Sequence, residues 1–144
     1  VKALSLVQPW ATLVAIGAKR IETRSWSTSY RGPIAIHASK SFPGDVQCLV
    51  REMPYRKYLE QAGFGQPWQL PRGQVIATCR LVDVLPTCRG AEPCPAWMPS
   101  QDSDEWRFGE YSDRRFGWIL EDVKILAEPV AAKGSLGLWE WAGQ

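Results

Sequence analysis

Gln8-Pro9-Trp10-Ala11-Thr12-Leu13-Val14-Ala15-Ile16-Gly17 runs directly into Ala18-Lys19-Arg20-Ile21-Glu22-Thr23-Arg24-Ser25-Trp26, and the period of the sequence changes at the join. In the first half Trp10, Leu13, Val14 and Gly17 recur at helical spacing, while Ala11, Ala15 and Ile16 leave almost no polar face. A helix that is apolar nearly all round is one buried in a core. Pro9 suits its first turn, where a missing N–H is no loss, and Gly17 suits its end, where the chain turns left-handed. From Lys19 the period is two. Ile21, Thr23 and Ser25 take one side, and Arg20, Glu22, Arg24 and Trp26 take the other. The pattern predicts a strand with one moderately apolar face and one densely functional face.

Working outward, Val1 to Leu6 reads as a short strand with Leu4 and Leu6 on one side. Ser29 to Pro33 is turn chemistry, and Ile34 to Ala38 is a strand with Ile34 and Ile36 inward and His37 opposite. Pairing of that strand with the Lys19–Trp26 strand would bring His37 to the face of Glu22 or Arg24. Asp45 to Gln61 reads as a helix broken at Pro54 and resumed to about Ala62. Gly63 to Gly73 is a loop carrying Trp68. Gln74 to Leu85 is apolar on both faces and is expected at the centre of a sheet. Arg115 to Leu120 is another strand, with Val123 to Leu126 as a short extension. Pro129 to Gly137 reads as a connection, and Leu138 to Trp141 as a last strand. Several short strands and one buried helix imply an α+β fold, a small mixed barrel with helices plugging or flanking it. Residues 1–144 read as one domain, with 86–112 as a long acidic, proline-rich loop insertion.

The totals fit an ordinary globular chain: 144 residues, 45% hydrophobic, 22% charged,. No apolar run reaches the length of a membrane span, and Val1–Leu6 is too short for a secretory leader, so a cytoplasmic protein is expected. Cys48, Cys79, Cys88 and Cys94 form no C-x-x-C pair and have only His37 to join them. That spacing argues against structural zinc, and no other cofactor is called for. Reduced thiols are the expectation, and nothing in the spacing asks for a Cys88–Cys94 disulfide.

Charge is distributed unevenly. Residues 1–40 hold six Lys or Arg (2, 19, 20, 24, 31 and 40) against one acid, Glu22. Residues 83–113 hold seven acids against two arginines. The two poles either meet in the fold or leave the acidic stretch as a solvated loop, and the second is the expectation. The basic stretch also carries Trp10, Trp26, Tyr30 and the sole histidine. Cations interleaved with flat rings describe a surface for an anion that has bases of its own.

Leu4-Ser5-Leu6, Gln8-Pro9-Trp10, Gly17-x-Lys19-x-x-Glu22-x-Arg24-x-Trp26, Tyr30-Arg31-Gly32-Pro33, Ile36-His37-Ala38 and Lys40 together resemble the activating signal cointegrator homology (ASCH) domain. Phe116-Gly117-Trp118-Ile119-Leu120 and Gly137-Leu138-Trp139-Glu140-Trp141 are similar to its close. The resemblance implies a barrel related to the pseudouridine synthase and archaeosine transglycosylase (PUA) fold. It further implies RNA or nucleotide binding in a cleft beside the Gly-x-Lys-x-x-Glu-x-Arg segment.

The candidate ligand-binding residues are therefore Lys19, Glu22, Arg24, Trp26, Arg31, His37 and Lys40. Lys19, Arg24 and Arg31 are candidates for phosphate, Lys as a point charge and Arg as a two-toothed donor. Charges on a strand face are also commonly just paired, and Arg24 has Glu22 nearby. Glu22 would repel phosphate, so it either orients Lys19 or Arg24 or accepts from the amino group of cytosine or adenine. Trp26 shares the charged face and is a candidate for base stacking; Trp10, on the apolar helix, reads as core. Trp139 and Trp141 read as packing. His37 is either a hydrogen-bonded structural group or a functional one, with Ser39 and Lys40 beside it to complete an anion site.

Two further functions stand beside binding. Small bacterial relatives with this fold hydrolyse acylated cytidines with a lysine and a threonine nucleophile three residues on. Here Lys19 matches the lysine, but the nucleophile position is Glu22, and Thr23 is one residue late and so on the opposite face. That mechanism is not carried over. Hydrolysis of a modified nucleoside or of RNA would instead use Glu22 as base and Lys19 as electrostatic stabiliser, or His37 with Lys19. The other function is a protein-interaction adaptor working through the acidic loop.

Overall fold

Alternation in the sequence becomes six strands and four short helices in the computed structural model, which describes residues 1–90 and 92–143. The strands are β1 (Lys2–Leu6), β2 (Ile21–Arg24), β3 (Gly32–Ala38), β4 (Gln74–Pro86), β5 (Phe116–Ala131) and β6 (Leu138–Glu140). The helices are α1 (Trp10–Ala15), α2 (Gly44–Gln47), α3 (Tyr55–Gln61) and α4 (Asp104–Phe108). They form one curled half-barrel sheet in the order β2-β5-β4-β3-β1-β6. Curling follows from bulges. The β4–β5 ladder shifts register at Val75/Ala77, Thr78/Arg80 and Leu81/Asp83, and each extra residue bends and twists its strand,. Asp122 (φ 54°) marks one such irregularity on β5.

Buried alternating residues fill the concave side: Leu4 and Leu6 from β1, Ile34 and Ile36 from β3, Ala77, Cys79 and Leu81 from β4, and Trp118 and Leu120 from β5. α1 lies against them, with residues 11–15 all buried, as an apolar surround requires,. Gly17 ends it at φ 81°. A second cluster joins Leu13 to Tyr55 and Leu59 of α3, Phe42, Leu70 and Phe108. Ala3, Ala35, Val75 and Trp141 pack on the convex side.

Several expectations change. β3 runs parallel to β1 and antiparallel to β4, while β2 pairs only with β5 at the far edge of the sheet. Parallel neighbours need a crossover, which contains α1 and β2, and with β1 on one edge of β3 and β4 on the other no edge of β3 is left for β2,. The strand expected to end near Leu126 continues to Ala131 and pairs with Gln74, so Pro129–Ala131 belong to the sheet. The acidic segment is not wholly a solvated loop. Ser103 caps α4 by accepting from the Trp106 N–H at 3.2 Å, and Phe108 and Tyr111 are buried,. Cys88 and Cys94 are bonded to each other, where reduced thiols were expected; Cys48 is an exposed thiol and Cys79 a buried one. Burial pushes the Cys79 thiol up to about 12. Among the described residues, no helix is long and apolar enough to cross a membrane. No group of three His, Cys, Asp or Glu among them is placed to hold a metal ion.

Trp118 is the largest fully buried side chain, and its Nε1–H reaches the carbonyl of Trp26 at 3.3 Å. Trp118→Ala is expected to destabilise the fold by about 3–5 kcal/mol, read as a lower urea midpoint at unchanged slope.

Candidate functional site

β2 is an edge strand paired only with β5, and its four residues alternate between two environments. Glu22 and Arg24 lie opposite Trp118 and Phe116 of β5. The Glu22 carboxylate stands between two cations. Its Oε2 accepts from Arg24 Nε at 3.0 Å, and its Oε1 is 3.8 Å from Lys19 Nζ. Lys19 is only 1% exposed, and its ammonium also donates to the carbonyl of Ile21. Arg24 Nη2 donates to the carbonyl of Ser5 on β1 at 2.8 Å. The strand-mate Thr23 faces away from them, and its Oγ1 accepts from the Glu110 N–H at 2.9 Å.

In front of this group lies a cavity of about 530 Å³, lined by Glu22, Arg24, Trp10, Tyr55, Arg107 and Arg115 among others. Trp10 and Tyr55 meet edge to face at 6.4 Å on its wall. Arg115 is held by the carbonyls of Glu110 (3.0 Å) and Thr23 (3.2 Å). Arg107 is exposed, with Asp104 at 3.7 Å. Such a recess presents the guanidinium groups of Arg24, Arg107 and Arg115 and the rings of Trp10 and Tyr55 near the Glu22 carboxylate, with Glu110 also on its lining, which suits a planar ring bearing an amino group and an attached anion,.

The seven candidate residues do not all gather here. Glu22 and Arg24 line the recess. Lys19 lies behind them, buried, and contacts Glu22 rather than the opening. Trp26 is half-buried and packs edge-on against Trp118 at 4.8 Å. Arg31 is held by the carbonyls of Thr28 and Tyr30, both at 2.8 Å, and reaches Asp83 at 3.4 Å. His37 faces the convex side, because it neighbours Ile36, which points into the core. Its Nδ1 meets Ser5 Oγ at 2.9 Å and its Nε2 meets the Ala132 carbonyl at 2.8 Å. Lys40 lines the same convex-side groove as His37. The expectation that His37 shares the face of Glu22 and Arg24 fails with the strand pairing on which it rested.

Trp10, Tyr55, Arg107 and Arg115 were not singled out from the sequence as part of this recess. Trp10 reads as core by its spacing and is half core, half wall. Arg107 and Arg115 come from the acidic segment and its end, which fold back over β2. Glu105 anchors that return: its carboxylate accepts from the N–H of Arg20 at 2.8 Å and of Ile21 at 3.4 Å. Burial pushes the Glu105 carboxyl up, against the pull of those N–H groups and of Lys19. The acidic and basic poles of the chain therefore meet.

The ASCH domain family model matches residues 4–130. Activating signal cointegrator 1 of Mus musculus is 28% identical over 137 residues, which are 95% of this chain and 22% of that protein. Activating signal cointegrator 1 of Homo sapiens gives the same figures. The chain thus spans about a fifth of the length of these relatives.

Burial holds the Lys19 ammonium below the usual lysine value of 10.5, although Glu22 and Glu105 pull it up,. Between the folded and unfolded pKa the unfolded chain binds more protons, so stability should rise with pH through a window ending near 10.5,. Glu22→Gln removes the larger upward pull and should open that window at lower pH, while Lys19→Met should abolish its contribution. Urea unfolding at stepped pH reads both.

Proposed function

The chain belongs to the ASCH domain family, and from that premise we propose that it binds RNA or a nucleotide in the recess before Glu22 and Arg24. The observation that carries this reading is the juxtaposition of Arg24, Arg107 and Arg115 with Trp10 and Tyr55 around the Glu22 carboxylate, in a recess that Glu110 also lines. Arg24 spends one N–H on Glu22 and one on Ser5. A guanidinium has five, so the rest remain for a phosphate or a base edge. Glu22 keeps unused lone pairs for the amino group of cytosine or adenine. Lys19 serves indirectly: from behind the strand its ammonium, 3.8 Å from Glu22 Oε1, helps orient the carboxylate toward the recess.

The same geometry weighs against hydrolysis at this place. A general base needs an oxygen free to take a proton from water. Both oxygens of Glu22 already face cations, Oε2 at 3.0 Å from Arg24 and Oε1 at 3.8 Å from Lys19. Lys19 does not line the opening, and neither does His37. Binding is the chemistry these groups perform best.

The test uses mononucleotides, which fit a single recess. Wild type is expected to bind CMP or AMP more tightly than UMP, which lacks the amino donor, by calorimetry or by amide shifts at low salt. Arg107→Ala leaves the fold untouched, since its side chain is exposed, and should weaken binding about 3–10-fold, within the net range of an ordinary solvent-exposed hydrogen bond,. Equal affinity for all three nucleotides, or no binding at low salt, would remove the proposal.

A further inference from the structure

Away from that recess, two grooves meet at Arg72. One, of about 970 Å³, is lined on the convex side by His37, Ser39, Lys40, Arg72 and Lys133. The other, of about 360 Å³, is lined by Phe42, Gln47, Arg51, Trp68 and Arg72. Neither lining contains an Asp or a Glu, whereas the recess before Arg24 contains Glu22 and Glu110. Lys40, Arg51, Arg72 and Lys133 form no ion pair among the described residues; Arg20, Arg80, Arg89, Arg114 and Arg115 share that state, but the four gather in linings without an acid. Arg51 is held instead by the neutral amide of Gln66 at 2.8 Å, and Arg72 by the Lys40 carbonyl at 2.9 Å, so both keep their full charge.

The track is also built rather than loose. The Gly73 N–H donates to the Ala38 carbonyl at 2.8 Å, and the Ala132 N–H to the Gly73 carbonyl at 3.1 Å. His37 bonds to Ser5 and Ala132 at its two nitrogens, and the Ser5 hydroxyl in turn accepts from Trp139 Nε1–H at 3.1 Å. Gly134 presses on this network: a Cβ there would lie 2.6 Å from His37 Cε1 and from Ser5 Oγ, so only glycine lets the segment lie so close. Three chain segments that carry Lys40, Arg72 and Lys133 are thereby fixed against one another. At the other end Trp68 is 76% exposed, in a three-residue helical turn capped reciprocally by Gln66 and Gln69. Of the exposed large hydrophobic side chains among the described residues Trp68 is the aromatic one, so its indole face is open to stacking,.

We propose that this Lys133–Lys40–Arg72–Arg51 track is a second site, distinct from the recess before Arg24, which holds a single-stranded phosphodiester backbone while a base stacks on Trp68. Four cations without ion pairs, spread over two grooves that share Arg72, answer successive phosphates, and the open indole face in the second groove answers a base of any identity,. An acidic peptide would use the cations but leave the tryptophan idle, and so fits less of what is present. The site has no base-reading carboxylate, so its binding is expected to be indifferent to sequence.

The experiment titrates a labelled single-stranded RNA octamer, its DNA counterpart and an abasic octamer into wild type, Trp68→Ala, Lys40→Glu/Lys133→Glu and Arg107→Ala, following anisotropy across a salt series. All three substituted surfaces are exposed, and matched urea midpoints establish that each variant is folded. Trp68→Ala should weaken the RNA octamer roughly fivefold or more and leave the abasic strand unaffected. The double charge reversal should weaken every strand and flatten the slope of log affinity against log salt by at least about 1.4. Comparable DNA binding assigns the contacts to phosphate and base; a marked RNA preference adds the 2′-hydroxyl, and both agree with the track. Unchanged octamer binding in Trp68→Ala and in the double variant would overturn it, as would equal competition by an octaglutamate peptide. Loss confined to Arg107→Ala would leave the recess standing and remove the track; loss confined to the other two variants would do the reverse.

Discussion

Glu22 lies between the ammonium of Lys19 and the guanidinium of Arg24, and Arg24 reaches across to the carbonyl of Ser5. β2 is the first strand of the sheet order and β1 the fifth, so this chain of charges spans the open side of a half-barrel that no backbone ladder closes. β6 covers β1 only over Lys2–Leu4, which leaves the Ser5 edge to be met by a side chain. A buried ion pair is poor evidence of net stabilisation, since desolvation offsets much of the attraction. Its value here is positional. Removing any one member would leave a buried charge or carbonyl without a partner, and that penalty fixes how β2 must lie against β1.

The return of the acidic segment follows from the same constraint. Once Lys19 is buried, its surroundings favour negative charge, and Glu105 supplies it from α4 while satisfying two backbone N–H groups at the start of β2. The segment is bolted at its ends as well. Thr87 Oγ1 donates toward the Ser112 carbonyl at 2.8 Å and accepts from the Arg115 N–H at 2.9 Å, and Trp97 Nε1–H donates to the Pro86 carbonyl at 2.8 Å. These contacts bring Arg107 and Arg115 to the rim of a recess whose floor belongs to β2. A stretch that is acidic in total thus contributes cations to the site.

Local structure was legible where local rules decide it. The buried helix around Trp10–Ala15, its end at Gly17, the break at Pro54 and the central place of Gln74–Leu85 are all written in spacing and composition. The resemblance carried by Gly17, Lys19, Glu22, Arg24 and Trp26 pointed to the family, which the match over 4–130 establishes. Strand partners were another matter. Alternation says which side of a strand is buried but not against which strand, so His37 was placed on the wrong face when its strand was paired with β2. The Lys19–Glu22–Arg24 grouping was legible as proximity, but burial of the lysine was not, because it depends on Glu105 arriving from 83 residues after Glu22. The Cys88–Cys94 bond and Trp68's exposure likewise depend on how loops lie.

Ser5 is where the two surfaces touch. It lines both the recess and the convex-side groove. Its carbonyl takes Arg24 on one side, while its hydroxyl takes His37 and Trp139 on the other. Nε2 faces a carbonyl, an acceptor, and Nδ1 faces the Ser5 hydroxyl, so both ring nitrogens are engaged,. His37 thereby holds β1, β3 and the 132–134 segment together. A ligand that drew Arg24 away from Ser5 would free a β1 carbonyl whose residue also anchors the opposite groove. One residue thus holds hydrogen bonds on both faces of the sheet, its carbonyl on the recess side and its hydroxyl on the convex side.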